Sequence, residues 1–150
     1  MDKERLKAQL YRDEGVRDRA YDDKTGDPID FLPSGGKVTI GVGWNASDNR
    51  MPDHIIEALL DFSIDHMVIS DLDRTMFEWR IHSSIRQEVL ANMCFNMGIT
   101  RLLKFRKMWA ALNSAVPDYQ TAADEMLDSH WAIQVGPRAL RLAAQMREGR

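Results

Sequence analysis

Residues 20–49 read AYDDKTGDPIDFLPSGGKVTIGVGWNASDN, and this stretch decides the fold class. Gly26, Pro28, Pro33, Gly35, Gly36, Gly41 and Gly43 punctuate it around one β-type run, Lys37-Val38-Thr39-Ile40. Glycine and proline at that density stop helices and build turns, so the stretch predicts a small turn-and-strand lobe.

Working outward, the flanks have helical periodicity. Upstream, Leu6 and Leu10 lie four apart among charges and Gly15 follows as a stop, which predicts a short amphipathic helix over 3–13 with Glu14 at its last turn. Downstream, Pro52 suits a first helical position. Ile56, Leu60, Ile64, Met67, Val68, Leu72, Met76 and Trp79 then recur at three- and four-residue steps, which predicts one long helix. Ser84 with Gln87 fits a capping box, and Ile85, Val89, Met93 and Met97 continue a buried central helix to Gly98. Two helices follow, over 102–115 before Pro117 and over 118–127 with Asp118 as cap, and Gly136-Pro137 opens a last one through Met146. The expected architecture is one α+β domain, with a small β lobe over 16–50 and a helical lobe over 51–150 joined by the N-terminal helix. A cleft between two lobes is a preferred ligand site.

Composition narrows the function classes. The 150 residues are 44% apolar and 29% charged, an ordinary globular balance with enough chain for one core. The longest apolar run, 108–112, is too short for a membrane span or the core of an export signal. One cysteine, Cys94, cannot form an intramolecular disulfide, and the four histidines show no metal-binding spacing. A net charge of −3 argues against a nucleic-acid binder. The charge is uneven, however: successive thirds carry −1, −5 and +3. Arg101, Lys104, Arg106 and Lys107 form one basic cluster and Arg138, Arg141, Arg147 and Arg150 another, either a solvated helix face or an attraction for an anionic partner.

Carboxylates flank the lobe. Asp13-Glu14-Gly15 and Tyr21-Asp22-Asp23 place acidic groups eight to nine positions apart, across a helix end and a turn. Glycosidic cleavage needs two carboxyl groups facing each other, one donating a proton to the leaving oxygen and one ionised. Acidic pairs at this spacing also arise by chance in a chain with 23 acidic residues.

The wording around the pair is more specific. Asp13-Glu14-Gly15-Val16-Arg17, Ala20-Tyr21-Asp22-Asp23 and Thr39-Ile40-Gly41-Val42-Gly43-Trp44 resemble the signature of the phage-type lysozymes, the glycoside hydrolase family 24 endolysins. Asn92-Met93-Cys94-Phe95-Asn96-Met97-Gly98 is similar to that family's central helix, and Ser129-His130-Trp131-Ala132 with Gln134-Val135-Gly136-Pro137-Arg138-Ala139 to its C-terminal box. These ordered motifs cover the chain from about residue 6 to residue 149.

The resemblance implies a lysozyme-like fold and hydrolysis, with inversion, of the β-1,4 bond between N-acetylmuramic acid and N-acetylglucosamine in peptidoglycan. It assigns the general acid to Glu14, the base to Asp23 and the orientation of the attacking water to Thr39. Asp22 competes with Asp23, and only the motif match chooses between them. A helix C-terminus and partial burial both favour the proton-bearing form of Glu14, and a polar turn favours the ionised Asp23. Inversion implies carboxyl groups about 6.5–9.5 Å apart. Arg138 matches the arginine that pairs with the family's acid. Phe95 and Asn96 offer an apolar wall and an amide, with core packing as the rival for Phe95, while Trp44 and Asn45 stand at the cleft edge. Trp109, Trp131 and the methionines Met93, Met97, Met108 and Met126 are expected in the core. The 24–38 loop is longer than in the T-even phage member, so 27–33 is expected to form a flap, and the family's remaining cleft positions fall near Met108 and Glu125, where residue types differ.

The resemblance implies no cofactor or metal. The expected partners are peptidoglycan glycan strands and, indirectly, a holin-like pore protein, with no nucleic acid, no membrane insertion and a monomeric state. The expected location is the host cytoplasm until the membrane is permeabilised, then the periplasm and cell wall, without a signal peptide. A lytic transglycosylase and a non-catalytic wall-binding module are the alternatives.

Overall fold

The computed structural model describes residues 1–22 and 24–150. It is mostly helical with one small antiparallel sheet, as an α+β class requires. The chain divides into two compact units, Met1–Asp13 with Phe62–Arg150, and Glu14–Asp61.

In the smaller unit, β1 (Thr39–Ile40) pairs with β2 (Trp44–Asn45), Thr39 opposite Asn45 and Ile40 opposite Trp44. The connecting Gly41-Val42-Gly43 has φ of 55° and 76° at its two glycines, a backbone that side-chain-bearing residues rarely adopt. The partner strand β2 was not distinct in the sequence, because two residues show no alternation. Asp22 N–H donates to the Asp27 carbonyl at 2.8 Å and Ile29 N–H to the Ala20 carbonyl at 2.9 Å, so the first part of the 24–38 loop folds back on residues 20–22. Helix α2 (Asp53–Phe62) completes this unit up to Asp61, although the sequence pattern placed the lobe's end near residue 50.

In the larger unit, α1 (Lys3–Glu14) buries Leu6 and Leu10 completely, each contributing about 1.5–3 kcal/mol by leaving water. The expected single long helix is instead α2, a π-helical stretch (Ser63–Ile69), α3 (Ser70–Thr75) and a 3₁₀ turn (Phe77–Ile81). Its inward residues explain the departure. Ile56, Leu60, Ile64, Val68 and Leu72 repeat at intervals of four, and on an α-helix each such step overshoots a full turn by about 40°. Wider i→i+5 turns hold more residues, so a π stretch keeps Ile64, Val68 and Leu72 buried on one side. Met67, assigned to the same stripe, is exposed.

Helix α4 (Ser84–Met97) is central, buried continuously from Gln87 through Cys94. Its N-cap is Ser83, one residue earlier than the capping box suggested, and it makes no side-chain cap bond. Ser84 Oγ donates to Glu88 Oε1 at 3.1 Å instead, and Gln87 Nε2 holds the Arg80 and His82 carbonyls. The buried Glu88 carboxylate accepts from Arg5 at 2.6 Å and from Asp2 N–H at 2.8 Å, which docks the start of α1 on α4.

The helix expected over 102–115 is two: α5 (Ile99–Leu102) and α6 (Arg106–Leu112). Phe105 leaves helical geometry between them, and the Leu102 carbonyl accepts from both the Phe105 N–H at 3.1 Å and the Trp109 indole at 3.0 Å. Helix α7 (Tyr119–Leu127) starts as expected, with the Asp118 carboxylate accepting from Thr121 N–H at 2.9 Å. A short α8 (His130–Val135), absent from the pattern because six residues carry little periodicity, is capped by Ser129. Helix α9 (Pro137–Glu148) has Pro137 at its start, and Trp109, Trp131, Met93, Met108 and Met126 are buried as expected.

Candidate active site

Asp13 is the hub of the described site. It lies in the last turn of α1, where unpaired carbonyls make the field unfavourable for a carboxylate, yet its side chain is only 2% exposed. Cations offset that cost. Arg138 Nε, from the first turn of α9, lies 3.4 Å from one carboxylate oxygen, and Arg141, one turn later, donates to the other. Arg12 Nε adds a third contact at 3.3 Å.

Asn92, fully buried in the middle of α4, joins these groups. Its Nδ2 donates to Asp13 at 3.3 Å and to Gln9 Oε1 at 3.5 Å, while its Oδ1 accepts from Arg138 Nε at 2.9 Å. A buried amide satisfied at both ends fixes its neighbours' geometry, so α1, α4 and α9 are locked together here. The cluster sets three guanidinium groups around the Asp13 carboxylate.

Glu14 closes that helix. It is exposed rather than partly buried as the sequence reading expected, the next residue after an immobilised Asp13. Arg138, which could have been a surface charge, is buried and held by Asp13 and Asn92. Asp23 lies outside the described residues, and with it the Glu14–Asp23 separation. Its competitor Asp22 is engaged: its carboxylate accepts from Lys24 N–H at 2.7 Å, stabilising the local turn.

Thr39 is exposed on β1. Trp44, opposite Ile40, leaves part of its ring open, a surface suited to stacking. Asn45 shapes the next turn. Its Oδ1 accepts from Ser47 N–H at 3.1 Å and Asp48 N–H at 3.2 Å, and its Nδ2 donates to Asp48 at 2.8 Å.

Phe95 and Asn96, adjacent in sequence, face different spaces. Phe95 is half-buried and lines a cavity of about 190 Å³ with Val68, Cys94 and Ile99. Asn96 lines a cavity of about 830 Å³ in the helical unit, where its Oδ1 accepts from the Trp131 indole at 2.9 Å. Met108 and Glu125 line the same cavity.

Sequence reasoning missed Asp13, Asn92 and Arg141 as members of this network. The available signal was Asn92, a polar residue inside the apolar run of a central helix, where an amide must find partners. Among the described residues no three His, Cys, Asp or Glu side chains gather as a metal site, and no helix is long and apolar enough to cross a membrane. Compared with known proteins, the chain matches no family model and no curated protein.

Proposed function

We propose that the chain is a peptidoglycan hydrolase, an N-acetylmuramidase that cleaves the β-1,4 bond between N-acetylmuramic acid and N-acetylglucosamine. Glu14 donates its proton to the glycosidic oxygen as the bond from the muramic acid anomeric carbon breaks. Asp23 takes a proton from a water aligned by the Thr39 hydroxyl, and that water attacks the anomeric carbon from the opposite face, with inversion. The products are a reducing muramic acid end and a free 4-hydroxyl on the glucosamine. Trp44 supplies a stacking surface for a sugar ring. By this reading the enzyme acts in host cell lysis as a monomer, reaching the wall once a pore protein has permeabilised the membrane.

One observation carries the reading. Asp13, Asn92 and Arg138 belong to three different lysozyme-like motifs, Asn92 standing 79 positions after Asp13 and 46 before Arg138, and they meet in one buried cluster. That cluster anchors the helix end from which Glu14 projects, the second-layer support a proton donor requires. The engagement of Asp22 in its own turn favours Asp23 as base.

Glu14→Gln is expected to abolish clearing of purified cell walls while the thermal midpoint stays unchanged, because an exposed Glu becomes an isosteric amide. Clearing at the wild-type rate contradicts the assignment. Cosedimentation with walls without clearing by the wild-type chain marks a binding module instead.

A further inference from the structure

We propose that His82 is an acid-sensitive latch on the C-terminal turn of α9: taking up a proton releases the Arg86 clamp and frees Glu148–Arg150, while the rest of the helical unit stays folded. The clamp joins three helices. Arg86, in the first turn of α4, donates from Nε to the Met146 carbonyl at 2.8 Å and from a terminal nitrogen to the Arg147 carbonyl at 2.9 Å, so it serves carbonyls that a helix end leaves without intrahelical donors. Its guanidinium lies 3.5 Å from the centre of the Tyr119 ring of α7. It also seats against Gly149, where a Cβ would stand 2.6 Å from a guanidinium nitrogen, so glycine is required for the clamp to close.

His82 meets the clamp through Tyr119. Its Nδ1 lies 3.3 Å from the Tyr119 hydroxyl, and the two rings pack edge to face with centroids 5.7 Å apart. Its Nε2 is buried without a protein partner, and so is the neighbouring Ser83 Oγ. A neutral imidazole carries one N–H, which the Tyr119 hydroxyl can accept; an imidazolium carries two, and the second has no protein acceptor in the closed joint. The surrounding charges give no relief. Arg86 is a like charge, and the Met1 ammonium donates to Gln87 Oε1 at 3.1 Å, next to the site where Gln87 holds the His82 carbonyl. The acids of the adjoining elements are committed elsewhere: Asp73 to Arg80 at 2.7 Å, Asp118 to the first turn of α7, and Asp124 to Arg147 at 2.5 Å. Burial and the Arg86 charge therefore hold the imidazole below its ordinary 6.5. Opening brings water to Nε2 and takes Arg86 away, so the open form accepts the proton that the closed one resists, and opening becomes more favourable as pH falls below 6.5. The exposed helix end yields before α4, which is buried from Gln87 through Cys94. Arg147 stays tied to Asp124, whose carboxyl it holds below the ordinary carboxylate range, and this confines the opening to the residues beyond it.

The latch is independent of the proposed hydrolysis, since it uses neither Glu14 nor Asp23. The test is NMR hydrogen exchange on the full chain between about pH 7 and pH 5, corrected for the intrinsic pH dependence of exchange. It follows the Gly149 N–H, bonded to the Gln145 carbonyl at 2.9 Å, and the Arg86 Nε–H, with the amides of Val89–Asn92 as internal reference. Protection of the two reporters is expected to fall about threefold or more in step with the titration of the His82 ring signals, with the reference amides unchanged. His82→Gln, shown to fold by its thermal midpoint at pH 7, should lose this pH response; where it does not fold, the match between exchange and the His82 titration in the wild type decides. Constant protection of Gly149 and Arg86, a loss shared equally by the reference amides, a response out of step with the His82 titration, or the same response in folded His82→Gln overturns the proposal.

Discussion

A single carboxylate, Asp13, carries more structure than its neighbour that is assigned the chemistry. Its side chain is 2% exposed and holds Arg138, itself 8% exposed, so removing it takes the carboxylate of a buried ion pair away from its guanidinium. Asp13→Ala is expected to destabilise the fold by about 3–5 kcal/mol, measured by urea unfolding. A loss near zero contradicts the burial of the pair. By contrast, Glu14→Gln is expected to change stability by no more than about 1 kcal/mol, so under the proposed function the two adjacent acids separate folding from chemistry. Glu14 was legible in sequence because a short motif marks it. Asp13 was not, because burial depends on Asn92 and Arg138, which only the fold brings to it. Cys94 makes a second residue-level prediction. Burial pushes its thiol up to about 12, so it stays protonated and unreactive at neutral pH. A disulfide reagent at pH 8 should label it only after denaturant is added, and rapid labelling of the native protein contradicts its burial.

At the level of elements, helices were legible where apolar spacing was regular and caps conventional, as in α1, α7 and α9. The stretch from α2 to the 3₁₀ turn shows what spacing alone hides: a four-residue repeat reads as a helix, but whether the backbone widens to keep that repeat inward depends on the surface it packs against. The connection into α4 was misread by one residue because Gln87 serves the Arg80 and His82 carbonyls rather than a capping box. His82 gives this connection a pH dependence. Its ring is buried, Nδ1 lies 3.3 Å from the Tyr119 hydroxyl, and Arg86 stacks over the Tyr119 ring at 3.5 Å. Burial, with the nearby Arg86 charge, holds the imidazole below its ordinary 6.5. The unfolded chain therefore takes up a proton that the folded one resists, so the contribution is present above pH 6.5 and lost as pH falls below it. His82→Gln is expected to flatten the stability profile between about pH 7 and 5, measured by chemical denaturation, and a slope identical to wild type contradicts this assignment.

Across the whole molecule, apolar burial is unequal. All described buried apolar residues except Ala46 belong to the helical unit, whereas the Glu14–Asp61 unit relies on turns, short ladders and exposed ion pairs. Local stability follows buried apolar contact, so amides of Glu14–Asp61 are expected to exchange with solvent far faster than those of α4 and α9. Equal protection in both units contradicts that picture. The turn-rich character of this unit was legible in its glycines and prolines. Its extent was not, because α2 falls within it and no local pattern marks the boundary at Asp61. The functional proposal rests on this unit carrying Glu14, Asp23 and Thr39, and mass spectrometry of muropeptides released from purified peptidoglycan tests it most directly. Wild-type protein is expected to release disaccharide muropeptides ending in reducing N-acetylmuramic acid, and Glu14→Gln none. Release of 1,6-anhydro ends, or of no muropeptides by the wild-type protein, contradicts a hydrolytic muramidase.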